Sequence, residues 1–236
     1  MKKMIVASTS TLHGGGFLEY LIPRLTIHFQ GISQLLFIPY ARPGGISHDA
    51  YTEIVQNALK HLNFEVKGIH EFADPLEAIK KAEAFYVGGG NTFVLVDTLH
   101  KNGLMDVLRE EVQKGKPYLG SSAGSNIIGP SVKTTNDMPI VQPPSLDSLG
   151  LLPYNLNPHY LDPDPSSTHK GETRETRIKE FHVYNDTRVI GLREGSWIEV
   201  EGERQILRGP LTARIFDKNK EASEFPSGTD FSTLLA

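Results

Sequence analysis

In the first half of the chain, short apolar runs alternate with stretches whose apolar residues recur at helical spacing. The runs are typical of strands buried on both faces of a parallel sheet. They predict strands at Met4–Ala7, Leu35–Ile38, Phe64–Ile69, Ala84–Val87 and Pro117–Leu119. The stretches between them predict helices within Phe17–Phe29 and at Asp49–Leu62, Pro75–Ala82, Phe93–His100 and Leu104–Lys114. This order specifies an α/β fold with a mainly parallel sheet, helices on both faces, and ligands bound beyond the strands' carboxyl ends.

The pattern changes after residue 129. From Gly129 to Asp164 prolines are frequent, which predicts loops and short strands, and a helix then runs to about Tyr184 with Thr173 as its N-cap. Short strands follow, and we expect them to be antiparallel additions to the sheet. They are predicted at Val189–Leu192, Ser196–Val200, Arg204–Leu207 and Leu211–Phe216. The tail from about residue 219 is expected to be partly ordered at best.

Length and composition narrow the classes of protein. The 236 residues are enough for one α/β domain, so residues 1–236 are expected to form a single catalytic domain. A net charge of -4 gives no electrostatic reason to expect a nucleic acid or a membrane as partner, which favours a small molecule. The first apolar run is too short for a signal peptide or a membrane span, so a cytoplasmic location is expected. A homodimer is compatible with the base rates for soluble proteins.

The segment Gly120-Ser121-Ser122-Ala123-Gly124 carries the chemistry around which the chain is interpreted. It follows a predicted strand and opens a predicted helix, as a nucleophile elbow does, and only small neighbours permit that sharp turn. Because the chain has no cysteine, any nucleophile must be an oxygen or a lysine. Ser122, the central residue, is the predicted nucleophile, although a serine at this place could also serve only as a helix N-cap.

A serine nucleophile needs a base and an acid that orients the base. His159, in Asn157-Pro158-His159, is the candidate base. Asp137 lies in a polar turn before it, and Glu194 lies in the turn Arg193-Glu194-Gly195 after it. The sequence does not decide which of the two carboxylates reaches the imidazole.

Backbone donors for an oxyanion are expected at two glycine-rich turns. Gly88-Gly89-Gly90-Asn91-Thr92 follows the fourth predicted strand and matches neither a dinucleotide nor a P-loop fingerprint. The N–H of Ala123 and the N–H of Gly89 or Gly90 are the candidate donors. The nine histidines show no zinc-binding spacing, so no metal or cofactor is expected.

Taken together, several motifs strongly resemble the peptidase E family of α-aspartyl dipeptidases, over almost the whole chain to about Phe216. These motifs are the two glycine-rich turns, Thr134-Thr135-Asn136-Asp137-Met138-Pro139-Ile140-Val141, Asn157-Pro158-His159 and Lys170-Gly171-Glu172-Thr173-Arg174. The resemblance implies a fold similar to class I glutamine amidotransferases and a serine peptidase that cleaves dipeptides with an N-terminal aspartate.

Mapped onto this chain, the resemblance makes Ser122 the nucleophile and His159 the base, with Asp137 or Glu194 as the acid. It makes Arg174 the residue that binds the aspartyl side chain, and a guanidinium can hold a carboxylate through two parallel hydrogen bonds. One departure is Ser121, where some relatives carry a bulky aromatic residue.

Two other functions are carried as alternatives. A cyanophycinase-like hydrolase of aspartyl-arginine polymer would use the same fold and the same aspartyl-binding arginine. A non-catalytic binding domain on an amidotransferase-like fold would carry Ser122 where a cysteine would otherwise act.

Overall fold

The computed structural model describes residues 1–164, 166, 168 and 170–234. Its strands are β1 (Lys3–Ala7), β2 (Gln34–Ile38), β3 (Glu65–Gly68), β4 (Phe85–Val87), β5 (Tyr118–Ser121), β6 (Asn155–Pro158), β7 (Val189–Leu192), β8 (Trp197–Glu201), β9 (Arg204–Arg208), β10 (Ala213–Phe216) and β11 (Ser223–Phe225). Its helices are α1 (Ile22–His28), α2 (His48–Leu59), α3 (Pro75–Lys81), α4 (Thr92–Lys101), α5 (Leu104–Gln113), α6 (Ala123–Asn126), α7 (Arg174–Tyr184) and α8 (Phe231–Leu234). Strand and helix therefore alternate through the first half of the chain, as the hydrophobic pattern predicts.

The main sheet has the strand order β3-β2-β4-β5-β1-β8-β9. The first five strands in this order pair in parallel, and β8 and β9 pair antiparallel at one side. The prediction of a mainly parallel sheet is confirmed. Because β1, β4 and β5 are parallel neighbours, their carboxyl ends meet at one edge, and the segments that follow them converge there.

Helices cover both faces of this sheet because successive residues of its strands point to opposite sides. In β1, Ile5 faces a core that includes Leu25 of α1 and Val55 of α2. Val6 faces the opposite core, which includes Leu95 of α4 and Leu108 of α5. The β1 residues Met4–Ala7 are fully buried, so this strand lies at the centre of the domain's packing.

A second sheet has the order β11-β10-β7-β6, in which β6 and β7 pair in parallel and the other pairs are antiparallel. This corrects the expectation that all the late strands add to the main sheet: β8 and β9 do, whereas β7 and β10 do not. The physical reason is that β7 lies in a separate layer, between the core of the main sheet and α7. Ile190 packs into the core of the main sheet, and Val189 packs against Ile178 of α7 on the other side.

The tail contains two elements, β11 and α8. Phe231 of α8 is fully buried, and its ring meets Phe225 of β11 edge-on at 6.4 Å between centroids. Among the described residues, no helix is long and apolar enough to cross a membrane. The interpretation of the whole chain as one catalytic domain stays a prediction.

Candidate active site

Ser122 lies at the sharp turn between β5 and α6, in a strained backbone conformation with φ 52° and ψ -110°. The flanking glycines are required by close backbone contacts. A Cβ on Gly120 would lie 2.6 Å from the carbonyl oxygen of Gly124, and a Cβ on Gly124 would overlap the carbonyl of Val87. The Ser122 N–H donates to the carbonyl of Ala7 at 3.2 Å. The Gly-x-Ser-x-Gly pattern is thus explained by the geometry of the turn.

A chain of hydrogen bonds links Ser122 to a histidine and a carboxylate. The Nε2 atom of His159 lies 2.9 Å from the Oγ of Ser122, and its Nδ1 lies 2.6 Å from the Oε1 of Glu194. Glu194 is acceptor-only when ionised, so Nδ1 carries the proton and Nε2 is free to accept from the serine hydroxyl. The imidazole side chain is 37% exposed and the carboxylate 47%, so water reaches this pair.

The neighbouring serine is turned the other way. The side chain of Ser121 is fully buried, and its hydroxyl lies 2.9 Å from the hydroxyl of Tyr86. Of these two adjacent serines, Ser122 is the one in contact with His159.

Asp137 lies in a different place from Glu194. Its Oδ2 accepts the N–H of Thr92 at 2.7 Å, at the start of α4, and the hydroxyl of Thr135 at 3.0 Å. Within the described residues, no hydrogen bond or ion pair joins Asp137 to His159. The structure therefore brings Glu194, and not Asp137, into contact with the imidazole.

The glycine-rich turn after β4 lies beside the serine. A Cβ on Gly89 would come within 3.1 Å of the Cβ of Ser122. The Gly89 N–H donates to the hydroxyl of Tyr51 at 3.1 Å. In the described part of the chain, nothing accepts a hydrogen bond from the N–H of Gly90 or of Ala123. Of the three candidate donors, these two are available to a ligand.

Arg174 is the first residue of α7, which begins after Thr173, whose hydroxyl caps the helix by accepting the Thr176 N–H at 3.1 Å. Burial lowers the pKa of the half-buried Arg174 guanidinium and Arg177 lowers it further, while the negative charge of Asp137 acts in the opposite direction. Arg174 makes no hydrogen bond or ion pair to any described residue.

Arg174 lines an open cavity of about 400 Å³. The cavity wall includes Leu161, two residues beyond His159 in the chain. Ser122 does not line it. The structure therefore places Arg174 near Asp137 and next to the segment that follows the histidine. Among the described residues, no hydrogen bond or ion pair joins Arg174 to Ser122, His159 or Glu194.

The comparison with protein families decides what kind of protein carries this arrangement. The model of the family described as "Peptidase family S51" matches residues 4–208, which is most of the chain. The chain belongs to peptidase family S51.

Two relatives of this family S51 chain extend the likeness over nearly its full length. It is 49% identical over 232 residues to Peptidase E of Streptomyces coelicolor, covering 98% of this chain and 94% of that one. It is 44% identical over 237 residues to the probable alpha-aspartyl dipeptidase of Drosophila melanogaster, covering 99% and 98%. The resemblance to peptidase E inferred from the motifs is confirmed.

Two solved structures share the fold. A putative peptidase E from Listeria monocytogenes superposes with a TM-score of 0.66 at 23% identity, covering 89% of this chain and 98% of that one. A peptidase from an acI-B1 actinobacterium superposes with a TM-score of 0.70 at 17% identity, covering 98% and 96%. At these identities the likeness concerns the fold alone.

The sequence patterns of this S51 chain gave no indication of two residues that hold the site. Ser8, just after β1, contacts the backbone of His159, and Tyr51 of α2 holds Gly89. The available signal for Ser8 is its position: it follows a buried parallel strand at the edge where binding residues gather. Tyr51 gives no such signal, because it lies on the buried face of a helix among other aromatic residues.

The described part of the S51 chain contains no group of three or more His, Asp or Glu side chains arranged to hold a metal ion. The groups gathered at the elbow are a hydroxyl, an imidazole and a carboxylate, which are the parts of a proton-transfer chain.

Proposed function

We propose that this protein is a serine dipeptidase that hydrolyses dipeptides with an N-terminal aspartate, through an acyl-enzyme on Ser122. The observation that carries the proposal is the hydrogen-bonded chain from Ser122 through His159 to Glu194. The names of the relatives, Peptidase E and probable alpha-aspartyl dipeptidase, indicate the substrate class.

In the first half of the reaction, the Oγ of Ser122 attacks the carbonyl carbon of the aspartyl residue while the Nε2 of His159 takes the hydroxyl proton. The peptide C–N bond then breaks, and the imidazolium gives this proton to the leaving amine. In the second half, water attacks the ester carbonyl while His159 takes its proton. The ester C–O bond then breaks, His159 returns the proton to the Oγ of Ser122, and free aspartate leaves. Glu194 holds the imidazole in the reactive tautomer and stabilises its positive charge.

The tetrahedral intermediate needs donors for its oxyanion, and we assign the N–H groups of Gly90 and Ala123. Gly89 is set aside because its N–H is engaged by the hydroxyl of Tyr51. That contact instead fixes the glycine-rich turn beside Ser122. Donors held in place before the reaction stabilise charge without reorganising during it.

Arg174 binds the aspartyl carboxylate. Its guanidinium is half-buried, and within the described residues no carboxylate forms an ion pair with it, so it is free to accept one from a substrate. Partial burial makes a charge pair stronger than it would be in water. A neutral asparagine side chain would leave the guanidinium without its counter-ion, so Asp-Leu is preferred over Asn-Leu.

The proposal also includes the substrate's size, the protein's location in the cell and its assembly. A small dipeptide substrate, a cytoplasmic location and a homodimer are predictions, which the contacts described above do not test. Light scattering of the purified protein checks the assembly, and cell fractionation checks the location.

The experiment compares release of aspartate from Asp-Leu with cleavage of Asn-Leu, which has nearly the same shape but no side-chain charge. We expect kcat/KM to be at least about 30-fold higher for Asp-Leu, since losing one partner of a close charge pair costs about 2 kcal/mol or more. Ser122→Ala provides the inactive control. Aspartyl-arginine polymer is tested alongside, and cleavage of the polymer without cleavage of Asp-Leu would contradict the proposal.

The role of Arg174 is tested by Arg174→Met, with Arg177→Met as the matched control. Both arginines lie on α7 and line the same cavity, but the side chain of Arg177 is 53% exposed and pairs with Glu172. Arg174→Met should lose the preference for Asp-Leu, whereas Arg177→Met should keep it. An unchanged preference in Arg174→Met would remove this residue from the substrate pocket.

A further inference from the structure

Ser8 lies at the carboxyl end of β1, outside the proposed Ser–His–Glu chain, and its side chain is fully buried. Its Oγ accepts the backbone N–H of His159 at 2.9 Å and donates to the carbonyl of Leu192 at 2.7 Å. Its own N–H donates to the carbonyl of Ser196 at 3.1 Å. One small residue therefore connects β1 to the segments that follow β6 and β7.

These contacts lie at the backbone of His159 and on both sides of Glu194. Leu192 and Ser196 stand two residues before and two residues after Glu194, so Ser8 is bonded to both sides of the turn that carries the carboxylate. The third contact of Ser8 is to the backbone of the histidine itself. Loss of the hydroxyl would free the base and one side of the turn at the same time.

The backbone of His159 has a particular need for such a contact. Its φ is 54°, in the left-handed region that residues other than glycine adopt only when the surroundings hold them there. The hydrogen bond that His159 N–H donates to the Oγ of Ser8 helps to hold the backbone in this conformation. Relaxation of φ to a negative value would turn the imidazole away from Ser122.

The backbone of Ser122 is held by Ala7, the last residue of β1 and the residue before Ser8. The carbonyl of Ala7 accepts the N–H of Ser122 at 3.2 Å. Ala7 and Ser8 are covalent neighbours, so two consecutive, fully buried residues hold the backbones of Ser122 and His159. This arrangement fixes the distance between the nucleophile and its base.

We propose that Ser8 is a positioning residue for the active site, which sets the place of His159 and of the Glu194 turn relative to Ser122. The inference rests on the proposed serine mechanism. Because its side chain is fully buried, Ser8 does not touch the substrate. Its loss should therefore lower kcat and leave KM nearly unchanged.

The test compares Ser8→Ala with Ser148→Ala. Ser148 is also buried, and its hydroxyl also donates to a distant backbone carbonyl, that of Gly129 at 2.7 Å. Ser8→Ala loses two buried hydrogen bonds and Ser148→Ala loses one, so both variants should unfold at a lower temperature. Only Ser8→Ala should lose kcat on Asp-Leu, by about 10- to 100-fold, because a displacement of about 1 Å in a catalytic group has an effect of that order. KM should stay within about twofold.

Two further measurements keep the test independent of folding and of the substrate. Ser8→Cys retains a weak donor and acceptor, so it should recover part of the kcat, and it replaces Ser8→Ala if that variant does not fold. The rate at which a serine-directed phosphonylating reagent labels Ser122 should fall in parallel with kcat. This labelling comparison still decides the role of Ser8 if the wild-type protein does not cleave Asp-Leu, a result that would refute the proposed function instead.

The proposal is overturned if Ser8→Ala matches Ser148→Ala in kcat and in labelling rate while both are destabilised. In that case the hydroxyl would contribute to stability alone.

Discussion

The substitution Glu194→Gln removes the charge that faces His159 while keeping the size of the side chain. The two interacting atoms, Nδ1 and Oε1, lie 2.6 Å apart. At this separation the attraction between an imidazolium and a carboxylate is about 1.6 kcal/mol in water and about 6 kcal/mol at the effective dielectric constant of a protein surface. With 37% and 47% of the two side chains exposed, solvent screening places the value nearer the lower figure.

We therefore expect Glu194→Gln to raise the barrier by about 2–3 kcal/mol, which is about a 30- to 160-fold loss of kcat on Asp-Leu. KM should change little, because the imidazolium forms during the reaction and not in the bound substrate. Proton NMR provides the second readout. The proton shared between His159 and Glu194 should give a far-downfield resonance in the wild-type protein and none in Glu194→Gln.

Asp137→Asn is the matched control, since it makes the same change in the other candidate acid. An asparagine still accepts the N–H of Thr92, but it no longer presents a charge to Arg174, so KM should respond more than kcat. The downfield resonance should persist. If Asp137→Asn abolished this resonance, or lowered kcat more than Glu194→Gln, the assignment of Glu194 as the orienting acid would be refuted.

Two more predictions concern the fold. Gly124→Ala should lower the free energy of unfolding by about 1–3 kcal/mol, because its Cβ would overlap the carbonyl of Val87. Gly44→Ala is the control: open space surrounds this glycine, so thermal unfolding should not change. Burial lowers the pKa of His28 from 6.5 to about 3. Between these two pH values the unfolded chain binds a proton that the folded chain does not, so the free energy of unfolding falls by about 1.4 kcal/mol for each pH unit of acidification. His28→Gln should remove this pH dependence of the free energy of unfolding, measured by urea unfolding between pH 6.5 and 4. An equal slope in both proteins would contradict the assignment of this pH dependence to His28.

The main sheet could be predicted because its cause is local. Strands such as β1 are apolar on both faces, and the helices between them carry their own periodicity and caps, for example Asp74 before α3. The second sheet could not, because the pattern of β7 and β10 reveals buried strands and not their partners. β7 pairs in parallel with β6, which lies on the other side of α7 in the chain, and α7 covers the face of β7 that would otherwise be exposed.

The same division applies to the site. The sharp turn at Ser122 could be predicted because the elbow is local and has local steric requirements. Which of Asp137 and Glu194 contacts the imidazole depends on which polar turn folds back onto it, and the packing of the second sheet against the first brings the Glu194 turn there. The contacts of Ser8 could not be predicted for a similar reason, since its three partners lie far away in the chain.

The most direct test of the account is to label the protein with a serine-directed phosphonylating reagent and to locate the modified residue by mass spectrometry. The account predicts one adduct per chain, on Ser122, abolished by Ser122→Ala, slowed by His159→Gln and retained in Ser121→Ala. A protein that stays unmodified, or that carries its adduct on Ser121, would contradict the central claim that Ser122 is an activated nucleophile.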